Sequence, residues 1–141
     1  LFVGSPQFDA ATAKDAGRVQ VFTAANGDSV ASFTLDGAAA GDAFGAAVAA
    51  AGNHWAVGAT GADVAGLKDA GSVQLFDGLT ASPLVIRNGD QAGAAFGSAL
   101  ALADFNGDGV PDLAIGAGKR DVGNPLLKDA GRVEVWNGPA L

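Results

Sequence analysis

Three short stretches of this chain alternate polar and apolar residues with a period of two: Arg18-Val-Gln-Val-Phe22, Ser72-Val-Gln-Leu-Phe76 and Arg132-Val-Glu-Val-Trp136. That period sends successive side chains to opposite faces of an extended backbone, so each stretch reads as a half-buried β-strand. Each follows a Lys-Asp-Ala-Gly tetrapeptide, at 14–17, 68–71 and 128–131. The aspartates (Asp15, Asp69, Asp129) are read as fixing a turn before the glycine that starts the strand. A hairpin signal then follows each strand, at Asn26-Gly27, Asp77-Gly78 and Asn137-Gly138. Apolar runs at Ser98–Ala103 and Asp112–Gly116 predict more deeply buried strands. The pattern recurs at roughly 52 to 60 residues, about the span of a unit of four antiparallel strands. The expected class is all-β and repetitive.

Between the two apolar runs lies Asp104-Phe-Asn-Gly-Asp-Gly-Val-Pro-Asp112. Oxygen-bearing side chains stand at alternate positions, glycines allow a sharp curl, and a carboxylate closes the stretch. This is how a short loop surrounds Ca²⁺, which takes six to eight oxygen ligands. The expected ligands are the side chains of Asp104, Asn106, Asp108 and Asp112 and the backbone carbonyl of Val110. The loop is not a helix–loop–helix site. Its closing acid comes at the ninth position rather than the twelfth, strands flank it, and Pro111 opposes a helix start. The simpler alternative is a polar Asn-Gly/Asp-Gly turn, but four correctly spaced oxygen residues favour the cation.

Composition narrows the classes. The 141 residues are 49% hydrophobic, much of it alanine, with 22 glycines, which suits close-packed backbones and many turns. A net charge of −7 opposes binding to nucleic acid or to an anionic membrane surface. There is no cysteine, so disulfides and thiolate chemistry are excluded, and a single histidine makes zinc or haem sites improbable. No apolar run reaches the length of a membrane span, so membrane insertion is not expected. The chain starts at Leu1 and has no methionine. The expectation is a processed or trimmed piece, which leaves room for a removed export signal.

Phe44-Gly45 with Val57-Gly58-Ala59-Thr60, and Phe96-Gly97 with Ile115-Gly116-Ala117-Gly118, resemble the FG-GAP repeat of integrin α-subunit β-propellers and their bacterial relatives. The Asp104–Asp112 loop resembles that family's calcium hairpin, between the first two strands of a blade. The resemblance implies a β-propeller with calcium loops on one rim. Mapped onto it, residues 1–36 are strands two to four of one blade, 41–88 a complete blade, and 93–137 strands one to three of a third. About two and a half blades cannot close a ring of four to eight. The expectation is therefore a fragment of a longer chain, or one part of an oligomeric assembly whose other chains complete the blades.

The middle blade departs from the pattern. Between Val48 and Val57 it reads Ala49-Ala-Ala-Gly-Asn-His-Trp-Ala56, with no carboxylate, and is expected to bind no calcium. Asn26–Asp28 and Asn88–Asp90 lack an upstream acid, since Ala24 and Ile86 stand there, and read as ordinary turns. One metal site is expected.

Catalytic constellations are weak. His54 lies in the shortened hairpin, with no G-x-S-x-G stretch anywhere, and reads as a turn histidine. Gly116-Ala-Gly-Lys-Arg120 has Arg where a phosphate loop needs Ser or Thr, and no helical pattern follows. Asp63, Asp121 and the loop acids offer carboxylates, but nothing sets two of them across a cleft. Phe22, Phe76 and Trp136 occupy equivalent places, as do Phe44 and Phe96, which favours packing between blades over ligand stacking. Together these features predict a non-catalytic, calcium-binding propeller segment of an exported or cell-surface protein. Its expected role is adhesion, protein interaction or structural assembly, with a protein partner or further blades of the same propeller. The alternatives are an accessory propeller of a secreted phospholipase or polysaccharide-degrading enzyme, and a carbohydrate-binding propeller.

Overall fold

A computed structural model describes residues 1–25, 28–123 and 125–138. Ten strands appear in chain order: β1 (Phe2–Ser5), β2 (Arg18–Ala25), β3 (Asp28–Asp36), β4 (Phe44–Ala51), β5 (His54–Ala59), β6 (Ser72–Asp77), β7 (Val85–Asn88), β8 (Phe96–Ala103), β9 (Asp112–Ala117) and β10 (Arg132–Trp136). They form three antiparallel sheets, ordered β1-β2-β3, β4-β5-β6-β7 and β10-β9-β8. The protein is all-β, and each sheet is a whole or partial propeller blade.

The sheets stack face to face around two apolar layers. Between the first and second lie Val19 and Val21 of β2 against Phe44, Trp55, Val57 and Phe76. Between the second and third lie Ala56, Val73 and Leu75 against Phe96, Leu113 and Ile115. The middle sheet is thus covered on both faces, and β5 is buried from Trp55 to Ala59. A strand covered on both faces reads as a continuous apolar run rather than a clean alternation. Trp55 is the centrepiece of the first layer. Its ring stacks on Phe76 at 4.0 Å and on Phe2 of the first sheet at 4.8 Å, and its Nε1–H donates to the Gly78 carbonyl.

The Phe-Gly pairs are irregular points in their strands. The register of β4 on β5 shifts between Phe44 and Ala47, and that of β8 on β9 between Phe96 and Ala99. Both phenylalanines point into a core, as expected from their equivalence. The other equivalent set is less uniform. Phe76 is fully buried, whereas Trp136 is half-buried with the Arg87 guanidinium of the second sheet 4.1 Å from its ring centre.

Three local expectations need correction. Asp77-Gly78 is not a two-residue hairpin, because β6 and β7 are joined through 78–84. Its glycine N–H is drawn instead to the Asn53 carbonyl of the neighbouring turn. No strand follows Asn137-Gly138 among the described residues, and the Gly138 N–H is taken by Asp112. Asn26-Gly27 lies outside the described residues. The Lys-Asp-Ala-Gly aspartates do not set their turns through their side chains either. Asp15, Asp69 and Asp129 each adopt a positive φ of 51–53°. Their N–H groups donate to the carboxylates of Asp9, Asp63 and Asp121, each at 2.8 Å. The turn-setting side chain is the upstream acid, and the tetrapeptide supplies the left-handed backbone.

Candidate metal centre

Strand β8 ends at Ala103 and β9 begins at Asp112, so the acidic stretch is the link between two paired strands. Gly107 and Gly109 hold φ of 80° and 88°, a region L side chains rarely adopt, and this curls the chain back on itself. The curl brings backbone N–H groups to Asp104. Its Oδ1 accepts from Gly107 at 2.6 Å and Asp108 at 3.1 Å, and its Oδ2 accepts from Gly109 at 2.8 Å. These bonds, that from Gly109 foremost, hold the Asp104 carboxyl below the ordinary carboxylate range against a smaller opposing effect of desolvation. Asn106 Oδ1 accepts from the Asp108 N–H, and Asp108 Oδ1 from the Val110 N–H, both at 2.8 Å. The Asn106 amide donates to Asp108 Oδ2 at 2.9 Å.

Asp112 is different. It is fully buried, whereas Asp104, Asn106 and Asp108 are exposed. Its Oδ2 accepts from the Phe105 N–H at 2.9 Å and its Oδ1 from the Gly138 N–H at 2.7 Å. The carboxylate therefore staples the start of the loop to the residues that follow β10. Sequence spacing identified Asp112 but missed this role, because Gly138 lies far away along the chain.

The donor types suit a hard cation: carboxylates, one amide oxygen and one carbonyl, with no nitrogen or sulfur. Each carboxylate has about four lone-pair sites. Asp104 uses three on N–H groups, and Asp108 and Asp112 each use two, so acceptor capacity remains. Among the described residues, no three His, Cys, Asp or Glu side chains converge to metal-holding distance. The carboxylates are turned toward backbone donors, and gathering them requires rotation of exposed side chains, not a rebuilt backbone.

The remaining candidates lie apart. Gly52-Asn53 forms the tight turn between β4 and β5, with no carboxylate in it. His54 opens β5, its Nε2 3.9 Å from Asp77, which also accepts from the Asn53 amide. Arg120 pairs with Asp90 beyond the end of β9, and a loop, not a helix, follows. The Asp9, Asp63 and Asp121 carboxylates, which the sequence reading did not place in turns, recur just upstream of each Lys-Asp-Ala-Gly. That recurrence was the signal available. Among the described residues no helix is long and apolar enough to cross a membrane.

Comparison with known proteins agrees with this architecture. One FG-GAP repeat family model matches residues 96–136, and a second matches 28–76. Phosphatidylinositol-glycan-specific phospholipase D is similar over 53 residues, at 53% identity for the human protein and 51% for the bovine and mouse proteins. The aligned segment covers 38% of this chain and only 6% of each of those relatives. With two repeats matched across its second and third sheets, this chain belongs to the FG-GAP repeat family and is a β-propeller-like segment of it.

Proposed function

We propose that this chain is a calcium-stabilised, non-catalytic propeller segment of an exported or cell-surface protein, serving adhesion, protein interaction or structural assembly. The observation that carries the reading is the β8–β9 link, whose glycines curl the backbone and whose ionised Asp104 is held ready by three N–H groups. Asp104, Asn106, Asp108 and Asp112 would supply side-chain oxygens and Val110 its carbonyl. A bound ion offsets the repulsion among these acids and ties β8 to β9 at the rim. Extracellular calcium modules hold the ion at about 10⁻⁴–10⁻³ M, which matches permanently high external calcium. Partner contacts then fall to the exposed loops of the rims.

A second reading has its own support. The likeness to phosphatidylinositol-glycan-specific phospholipase D fits an accessory propeller within a secreted enzyme, with catalysis in another part of that protein. Fold alone does not separate the two readings. Sequence flanking this segment does: an adjoining domain with a nucleophile or metal-bound catalytic set favours the enzyme.

The metal is tested by thermal unfolding. With such affinity, 10 mM Ca²⁺ stabilises a binding fold by about 1.4–2.7 kcal/mol over EDTA. That is a rise of roughly 3–11 °C at this size. Asp108→Ala should remove the rise. No rise in the parent chain sinks the metal, and an undiminished rise in the variant places the ion elsewhere.

A further inference from the structure

We propose that the outward face of the third sheet is a docking groove for a strand that opens on Phe-Gly, supplied by a further FG-GAP blade. The inference rests on the propeller-segment part of the function above and is independent of the metal.

The chain makes the same contact twice within itself. Where the second sheet meets the first, the Phe44 N–H donates to the Ala16 carbonyl at 2.9 Å. There the Gly45 carbonyl presses so close to Gly4 that a Cβ on Gly4 would lie 2.1 Å from it. Where the third sheet meets the second, the Phe96 N–H donates to Ala70 at 3.0 Å, and a Cβ on Gly58 would lie 2.1 Å from the Gly97 carbonyl. Gly17 and Gly71 give way in the same manner to the backbones of Phe44 and Phe96. Beside these contacts Val19 and Val21 are 0% exposed, and Val73 and Leu75 are 1% exposed.

The third sheet repeats the receiving half of this contact residue for residue. Gly116 stands opposite Val133 as Gly58 stands opposite Val73 and Gly4 opposite Val19. Ala130-Gly131 follows Lys128-Asp129 as Ala70-Gly71 follows Lys68-Asp69. Here, among the described residues, nothing plays the part of the Phe-Gly strand. A Cβ on Gly116 would meet nothing nearer than Ala99 Cβ at 3.2 Å, and one on Gly131 nothing nearer than the Gly118 carbonyl at 3.4 Å. Val133 and Val135 are 69% and 56% exposed. An open groove of about 510 Å³ runs past Ser98, Gly116, Gly118, Ala130, Gly131 and Val133.

The occupant is defined by what the two filled copies accept. It must bring a backbone N–H to the Ala130 carbonyl and a carbonyl over Gly116. The residue bearing that carbonyl must tolerate positive φ, as Gly45 and Gly97 do at 93° and 87°. It must also carry a large apolar ring, since Phe44 and Phe96 are 3% and 4% exposed in their own sites. A second copy of this chain does not qualify, because both of its Phe-Gly strands are already engaged internally.

The test tethers a duplicate of Gly93–Ala103 behind Leu141 of the full chain on a flexible Gly/Ser linker of about 15 residues, which gives a local concentration near millimolar. Backbone amide NMR is recorded in EDTA, so the outcome is separate from the calcium test. Relative to a tether whose duplicate carries Phe→Ala and Gly→Val, the Gly116, Gly131, Val133 and Val135 amides should shift and exchange at least tenfold more slowly. Val133→Lys, on an exposed side chain, should cancel that difference without lowering the melting temperature, as should Gly116→Val. Identical spectra for the two tethers overturn the proposal, as do shifts that survive both groove variants. Concentration-dependent changes at these amides in the untethered chain would assign the face to a second copy and also overturn it.

Discussion

Replacing Asp112 by asparagine separates the two roles open to this residue. Asp112 is 0% exposed, and each of its oxygens holds one backbone N–H, from Phe105 at 2.9 Å and Gly138 at 2.7 Å. Asparagine keeps the shape but offers a single oxygen. Its NH₂ must then face whichever N–H is left, two donors in contact without water. The loss is one charge-assisted hydrogen bond and one buried donor without a partner, about 2–4 kcal/mol together. For a chain of this length that is a fall of roughly 4–16 °C in melting temperature. The assay is thermal and urea unfolding at pH 7 in EDTA, followed by tryptophan fluorescence; Trp136 pairs across from Leu113, beside the staple. A variant within about 0.5 kcal/mol of the parent in EDTA, the range of an ordinary surface change, would refute the staple. Repeating the measurement in 10 mM Ca²⁺ reads the second role. If Asp112 is also a ligand, the calcium-dependent increment shrinks beyond the metal-free loss; if it is only a staple, the increment is unchanged.

Trp55→Ala should cost about 3–5 kcal/mol, since it empties a fully buried site between Phe2 and Phe76 and frees the Gly78 carbonyl; a loss below about 1.5 kcal/mol in urea unfolding would show that this stack does not join the first two sheets. The Asp104 carboxyl, followed by carbon NMR, should titrate below the ordinary aspartate value of about 3.9. Because its folded value is depressed, its contribution to loop stability is present above the unfolded value and lost as pH falls through the folded one. The Gly107 and Gly109 amides should report the same midpoint, and a midpoint at or above 3.9 would remove the N–H cradle.

Strand identity was local enough to be legible. Alternation in Arg18–Phe22, Ser72–Phe76 and Arg132–Trp136 arises from the two-residue period of extended backbone, and these stretches lie in β2, β6 and β10. The threefold Lys-Asp-Ala-Gly and the twofold Phe-Gly showed repetition, because equivalent places in stacked sheets demand equivalent residues. The acidic loop was legible for the same local reason, since a curl needs glycines and a hard cation needs closely spaced oxygens.

What escaped were contacts between residues distant in the chain. The Asp77-Gly78 and Asn137-Gly138 signals describe what a turn permits, but Asn53 and Asp112 claim their glycine N–H groups from neighbouring segments. The Lys-Asp-Ala-Gly aspartates looked like turn setters until Asp9, Asp63 and Asp121 proved to hold their amides. Val73 and Val133 occupy the same place in the same pattern, yet one is 1% exposed and the other 69%. By itself the sequence determined the strands, their repetition and the oxygen-rich link, all consequences of backbone period and side-chain chemistry over a few residues. Only the tertiary structure decided which face of each sheet is covered and which N–H each acid holds, because burial and hydrogen-bond competition are settled by whichever segments the fold brings together.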